Sequence, residues 1–319
     1  MVGLILILIV SLLFIIWGAS LLTDGSVALA ERFKVPEFIV GLTIVAVGTS
    51  MPELTVSFMA AISPDGHTDM AIGNIVGSNI FNILCILGVS AVISPILFTK
   101  TNIRRDIPLC IAASLALLAV TLINEDVTHF EGLLLLLGYI AMIYFTVRAE
   151  RKAQKLNPQP DAETSGKKPM PFWRIPIWII FGLVGLIGGG SYFVDAAVGI
   201  AEKLNVPEST IAITLVAGGT SIPELASSVV SILKGRTELA LGNVLGSSIA
   251  NILLILGVCG TITPLSMGGV EINDVCIAVA AAVLVMISAL VIGRDKMTRI
   301  EGLIFFMCYV AYVYYLICR

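Results

Sequence analysis

The chain has 319 residues, of which 57% are hydrophobic and 13% are charged, and its mean hydropathy is +1.00. Apolar runs recur from end to end, so the composition excludes a soluble globular protein and predicts an all-α polytopic membrane protein. The formal net charge of −3 is small. We therefore expect the lipid bilayer as the surroundings of this protein, with no nucleic acid and no obligate protein partner.

Ten apolar stretches are long enough to cross a bilayer, and we predict a transmembrane helix in each. In chain order they cover residues 2–22, 38–62, 70–96, 107–123, 130–147, 175–199, 208–233, 239–263, 273–292 and 302–318. The first stretch lacks the basic segment that begins a signal peptide, so we expect it to be retained. Residues 149–173, rich in lysine, proline and polar residues, are predicted to be a linker.

Basic residues concentrate in the loops that follow the odd-numbered spans, including the linker 149–173. The opposite side of the membrane keeps only Lys203 and Arg319. Because loops rich in lysine and arginine face the cytoplasm, the linker is predicted to be cytoplasmic and both termini are predicted to lie outside.

Two long segments occur twice along the chain. Residues 41–62 begin GLTIVAVGTSMPEL, and residues 212–233 begin AITLVAGGTSIPEL. Downstream of each lies a second motif, GNIVGSNIFNILCILGVSAVISP over 73–95 and GNVLGSSIANILLILGVCGTITP over 242–264. Two long motifs repeated in the same order predict two homologous five-span units.

The number of spans per unit predicts how residues 1–148 and residues 174–319 are related. Five is odd, so the second unit enters the membrane from the side opposite to the first. The two units are then inverted repeats about an axis in the membrane plane, with their repeated motifs meeting near the midplane. Inverted repeats around a central site are typical of secondary transporters with alternating access, and not of enzymes.

The residues of the repeated motifs that cost the most free energy to place in a membrane are Glu53 and Glu224. A charged side chain inside a membrane span costs about 3 kcal/mol on insertion scales and indicates a functional site. By the symmetry of the repeats, the likeliest partner of each glutamate is the other. Two buried carboxylates repel, so an empty site resists reorientation and couples the movement of one ion to that of another.

Proline follows the Gly-Thr-Ser of each repeat, as Pro52 and Pro223. Proline has no N–H, so the carbonyls of Gly48 and Gly219 lose their helical donors and a kink is predicted in each span. Irregular backbone survives at membrane depth only where it faces protein or a polar cavity. We expect the freed carbonyl oxygens to face a bound ion.

Oxygen-bearing side chains share the helix faces of the two glutamates. Hydroxyl groups precede each glutamate by three and four residues, and the second motif adds a serine and an asparagine four residues apart. These residues are Thr49, Ser50, Ser78 and Asn82 in the first repeat and Thr220, Ser221, Ser247 and Asn251 in the second. A set of oxygen ligands suits calcium and sodium better than zinc or copper. No cofactor is predicted beside these transported ions.

The paired G-T-S-x-P-E and G-N-x-x-G-S motifs resemble those of the cation/calcium antiporter superfamily, most closely its prokaryotic sodium/calcium exchanger branch. The resemblance covers nearly all of the chain. It implies an antiporter in a prokaryotic cytoplasmic membrane that lets sodium in to expel calcium. It also implies that Glu53 and Glu224 bind calcium together with the backbone carbonyls of Thr49 and Thr220.

The same resemblance implies sodium sites that flank the calcium site and share both glutamates. Their further ligands would be the Ala46 carbonyl, Ser50 and Ser78 on one side, and the Ala217 carbonyl, Ser221 and Ser247 on the other. Asn251 stands where potassium-dependent relatives carry an aspartate, so potassium co-transport is disfavoured.

Three other functions fit parts of the pattern. A proton/calcium exchanger would share the fold, but that branch usually has an acidic residue where this chain has Gly77 and Gly246. A passive cation channel could also use paired glutamates, although the inverted repeat favours a carrier that closes. An intramembrane enzyme is disfavoured because the sequence has no H-E-x-x-H and no G-x-S-x-G motif.

Overall fold

A computed structural model describes residues 2–63, 68–124, 126–156, 170–204, 217–267, 270–292 and 295–318. Most of these residues are helical, as expected where hydrocarbon offers the backbone no other hydrogen-bond partner.

The first half of the chain alternates long helices with two very short strands. The helices are α1 (Val2–Phe33), α2 (Glu37–Thr49), α3 (Met51–Ala61), α4 (Asp69–Ile93), α5 (Asn102–Ile123) and α6 (His129–Leu156). Strand β1 (Ile96–Leu97) lies between α4 and α5, and β2 (Asp126–Val127) precedes α6. Helices α2 and α3 meet at Ser50 with a bend of 46°.

The second half repeats this order. Its helices are α7 (Arg174–Lys203), α8 (Ala217–Gly219), α9 (Ile222–Leu233), α10 (Thr237–Ile262), α11 (Ile272–Ile292) and α12 (Arg299–Cys318). Strand β3 (Leu265–Ser266) follows α10, and β4 (Lys296–Met297) precedes α12.

Within the described ranges, eight helices are long and apolar enough to cross a membrane, and α2 with α3 makes a ninth if the bent pair counts as one span. The predicted span 208–233 begins in 205–216, which lies outside the described residues, and α9 is its apolar described part. The count of ten spans therefore stays a prediction.

Two helices extend well beyond their predicted spans. Helix α1 continues to Phe33, past the predicted end at 22, and α6 continues to Leu156. The end of α6 has the sequence RAERKAQKL, whose residues favour a helix and are mostly charged or polar. The first part of the predicted linker 149–173 is consequently helical, and residues 157–169 of it lie outside the described residues.

The buried apolar side chains form two separate clusters. The larger one joins residues of α2 to α6 with residues of α9 to α12. The smaller one is built mainly from α1 and α7, with a few residues of α2 and α10. Among the described residues, neither α1 nor α7 contributes to the larger cluster, so these two helices form a pair packed against a larger scaffold.

The two short strand pairs each join one half of the chain to the other. Strands β1 and β4 are antiparallel, with Ile96 opposite Met297 and Leu97 opposite Lys296. Strands β2 and β3 pair in the same way, with Asp126 opposite Ser266. The helices of the scaffold are thus tied together through backbone hydrogen bonds as well as through side-chain packing.

Candidate functional site

The two glutamates of the repeated motif lie fully inside the protein, with 1% of Glu53 and 0% of Glu224 exposed. Each stands in the first turn of a helix whose second residue is a proline, α3 for Glu53 and α9 for Glu224. Proline is accommodated there because the first helical turn needs no N–H donor. The kinks predicted around Gly48 and Gly219 fall where the helix is interrupted, with α2 ending at Thr49 and α8 at Gly219.

The serine before each of these helices leaves the helical path in the same way. Ser50 has φ −81° and ψ 11°, and Ser221 has φ −91° and ψ 8°. In each repeat this conformation places the serine hydroxyl beside the other half of the chain. Ser50 Oγ donates to Glu224 Oε1 at 2.8 Å, and Ser221 Oγ donates to Glu53 Oε1 at 2.8 Å.

This reciprocal bonding brings the two carboxylates into one site. One oxygen of each is hydrogen-bonded across the repeat boundary, whereas Glu53 Oε2 and Glu224 Oε2 are buried and accept no hydrogen bond from the described residues. A buried carboxylate oxygen without a donor is costly, so both oxygens are suited to a cation. Carboxylates and hydroxyls are the oxygen ligands that calcium and sodium take.

The second-motif serines extend the site toward the opposite repeat. Ser78 Oγ lies 3.2 Å from Ser221 Oγ and 3.5 Å from Glu53 Oε1. Ser247 Oγ donates to the Ala46 carbonyl at 3.4 Å. Each second-motif serine therefore meets a first-motif residue of the opposite repeat. The sodium ligand sets that the resemblance implies stay a prediction.

The two threonines differ in their surroundings. The Thr49 hydroxyl donates to the Val45 carbonyl at 3.0 Å and lies 3.2 Å from Asn243 Oδ1. Thr220 Oγ1 is buried and has no hydrogen-bond partner among the described residues. Ala217 begins α8, directly after residues outside the described ranges.

Two asparagines that the sequence analysis did not single out support the glutamates. Asn74 Nδ2 donates to the Glu53 carbonyl at 3.3 Å and to Ser57 Oγ at 3.1 Å. Its counterpart Asn243 donates to the Glu224 carbonyl at 3.4 Å and also to a serine hydroxyl at 3.0 Å. A signal for them was present, because Asn74 lies four residues before Ser78 and hence on the same helix face.

Asn82 and Asn251 lie at matching π-helical turns in α4 and α10. In each turn the asparagine carbonyl accepts a backbone N–H from five residues later, from Leu87 and Leu256 respectively. Both side chains are buried, with 1% of Asn82 and 0% of Asn251 exposed. Neither amide atom of Asn82 has a hydrogen-bond partner among the described residues, nor does Asn251 Oδ1.

A bundle of membrane-crossing helices that encloses two carboxylates and neutral oxygens defines an integral membrane protein of the ion-transporting class. The family profile described as sodium/calcium exchanger protein matches residues 3–148 and 174–318. The chain belongs to this family, whose members are transporters and not enzymes.

Individual relatives align over almost the full chain. CaxA of Alkalimonas amylolytica is 36% identical over 96% of this chain and 96% of its own length. The sodium/calcium exchanger MaX1 of Methanosarcina acetivorans is 32% identical, with 97% of each chain covered. The solved structure of the sodium-calcium exchanger NCX_Mj soaked without sodium and calcium has a TM-score of 0.84 and 29% identity, covering 99% of this chain and 100% of that one.

Proposed function

We propose that this protein is a secondary antiporter that exchanges sodium for calcium by alternating access. The site is built on Glu53 and Glu224 near the midplane of the bilayer. Two inverted five-helix repeats, 1–148 and 174–319, carry the two halves of the site. The linker 149–173 is cytoplasmic and both termini face outward, in a prokaryotic cytoplasmic membrane.

The reciprocal serine-to-glutamate bonding carries this proposal. Ser50 and Ser221 hold the carboxylate of the opposite repeat at 2.8 Å in each case. Both carboxylates therefore belong to a single site, and each keeps one oxygen without a donor. Two negative charges at membrane depth need positive charge beside them, which a calcium ion or several sodium ions would supply.

The charge of the site explains how the two fluxes are coupled. Calcium binds between Glu53 and Glu224, with the carbonyls of Thr49 and Thr220 completing its oxygen shell. Sodium binds in two flanking positions, one near Ser78, Ser221 and the carbonyl of Ala217 and the other near Ser50, Ser247 and the carbonyl of Ala46. Asn82 and Asn251 form a central polar site that tunes which monovalent ion is exchanged. The site reorients only when its two negative charges are neutralised, so one ion species leaves as the other arrives.

Calcium uptake into proteoliposomes tests this function. Vesicles are loaded with sodium, with potassium or with choline, and a fourth set carries a pH gradient without sodium. We expect uptake of radioactive calcium only from the sodium-loaded vesicles. Uptake that follows the pH gradient and does not depend on sodium would replace this function with proton/calcium exchange. Uptake without a sodium gradient or a pH gradient would indicate a channel.

A further inference from the structure

The two repeats carry different residues at one buried polar position of the second motif. Asn79 in the first repeat corresponds to Ser248 in the second, within the motifs GNIVGSNIFN and GNVLGSSIAN. Both side chains are buried, with 2% and 1% exposed. The Ser248 hydroxyl donates to the Val244 carbonyl of its own helix at 3.0 Å, whereas Asn79 reaches across to the opposite repeat.

Asn79 connects a backbone carbonyl to the side chain of Asn251. Asn79 Nδ2 donates to the Ser248 carbonyl at 3.1 Å, and Asn79 Oδ1 accepts from Asn251 Nδ2 at 3.0 Å. A backbone carbonyl can only accept, so the atom of Asn79 that faces it must be the amino group. The oxygen of Asn79 is then left for Asn251, and the amino group of Asn251 must face that oxygen.

The direction of the Asn251 amide follows from this chain of bonds. Its amino group is held by Asn79, and its oxygen is therefore the atom left free at the site. That oxygen is buried and accepts no hydrogen bond from the described residues. Asn243, Ser247 and Asn251 are spaced four residues apart, so this oxygen lies on the face of α10 that carries the other site residues.

Asn82, the counterpart of Asn251, has no such anchor among the described residues. Neither its oxygen nor its amino group makes a hydrogen bond there. Ser248, at the position that would have to hold it, has a hydroxyl that bonds within its own helix. Asn82 and Asn251 are chemically identical, yet within the described ranges only Asn251 is held by a hydrogen bond that leaves its oxygen facing away from the bond.

We propose that Asn79 is a positioning residue that orients the Asn251 amide so that its oxygen faces the transported monovalent ion. This inference rests on the proposed sodium/calcium exchange. Without Asn79, the amide of Asn251 can present its amino group, which repels a cation, for part of the time. Asn82, whose amide has no hydrogen-bond partner among the described residues, contributes less to sodium selection than Asn251 does.

The test is a double-mutant cycle of Asn79→Ala and Asn251→Ala, measured as calcium uptake into vesicles over a range of sodium concentrations. We expect Asn79→Ala to raise the half-saturating sodium concentration about 3- to 10-fold, the worth of one neutral hydrogen bond. The half-saturating calcium concentration should stay unchanged. In the Asn251→Ala background the second substitution should have no further effect on sodium, because Asn79 acts only through Asn251.

Ser114→Ala is the matched control, since it removes a buried hydroxyl that donates to the Cys110 carbonyl of its own helix. Its sodium dependence should equal that of the wild type. Additive sodium effects of the two asparagine substitutions, or parallel shifts for sodium and calcium, would overturn the positioning role. If wild-type uptake does not depend on sodium, the proposed function fails by itself. The positioning role is then tested by measuring the thermal unfolding of the same single and double variants without ions. Additive losses of stability would show that Asn79 does not hold Asn251.

Discussion

At the scale of single residues, each glutamate depends on the repeat to which it does not belong. Glu53 receives its short hydrogen bond from Ser221, and Glu224 receives its bond from Ser50. Both serines reach across because they stand at the interruption between two helices, where the backbone is not helical. A substitution of the serine in one repeat therefore alters the hydrogen bonding of the carboxylate in the other.

Replacing either carboxylate by an amide is the most direct test of the site. Glu53→Gln or Glu224→Gln leaves one buried negative charge where the divalent ion needs two. Removing one partner of a buried charge pair costs about 3–5 kcal/mol, so calcium exchange should fall about 100-fold or more in each variant. Initial rates of calcium uptake, normalised to the amount of folded protein, measure this loss.

Glu202→Gln serves as the control for these substitutions, because Glu202 is exposed near the end of α7. It should keep wild-type uptake. Normal flux in Glu53→Gln or in Glu224→Gln would show that the paired carboxylates do not form the transport site.

The residues that stand out by their own chemistry could be predicted from the sequence, whereas those that act through contact with a neighbouring helix could not. Inserting a glutamate or a proline into an apolar membrane span costs free energy, so these residues stand out in the sequence itself. The bonds from Asn74 and Asn243 to the glutamate carbonyls depend on how α4 and α10 lie beside α3 and α9. A sequence places residues on a helix face, but it does not say which neighbouring helix that face meets.

At the scale of the elements, α1 and α7 approach each other through glycine. A Cβ on Gly18 would lie 2.7 Å from the Leu186 nitrogen, and one on Gly182 would lie 2.6 Å from the Leu22 nitrogen. Both contacts are with backbone atoms, which cannot turn away as a side chain can. Small residues at such a crossing let two membrane helices pack closely.

Gly182→Ala should separate α1 from α7. The added methyl group meets the backbone of α1, and overpacking of this kind costs about 1–3 kcal/mol. The midpoint of thermal unfolding in detergent should fall, and the rate of calcium uptake should change with it. Gly188→Ala on the same helix is the control, because a Cβ there would have no atom of a packed neighbour within 4 Å. Equal midpoints for the two variants would contradict the close crossing.

Hydropathy does not predict where the helices end. Apolar stretches marked the parts of α1 and α6 within the predicted spans, but both helices continue into charged sequence. Once a helix leaves the hydrocarbon its residues need only be good helix formers, and those are often polar. A sequence method based on hydropathy therefore finds the spans and misplaces their ends.

At the scale of the whole molecule, the apolar cluster of α1 and α7 is separate from the main cluster of the scaffold and includes only a few scaffold residues, from α2 and α10. A boundary between two clusters is where two bodies can move relative to each other. Thr23 of α1 touches the other body there, with its hydroxyl 3.1 Å from that of Ser231 on α9. If the pair moves against the scaffold during transport, this contact must break in each cycle.

A disulfide at this contact should stop transport. Thr23→Cys with Ser231→Cys, in a background without the six native cysteines, would place two sulfur atoms close enough to bond. Oxidation should abolish calcium uptake, and a reducing agent should restore it.

The control disulfide joins Leu97→Cys to Lys296→Cys, which are opposite each other in the strand pair β1–β4. Both strands belong to the scaffold, so oxidation should leave uptake intact. Transport that continues with the Thr23–Ser231 link closed would show that α1 does not move relative to α9.

The two strand pairs also have a consequence for the order in which the protein is made. Strand β1 finds its partner in β4, and β2 finds its partner in β3, so the backbone groups of the first half have no strand to bond until the second is synthesised. The first half consequently leaves the ribosome with both of its strands unpaired. The last-made part of the chain completes the first-made part, and this ties assembly of the protein to the end of its translation.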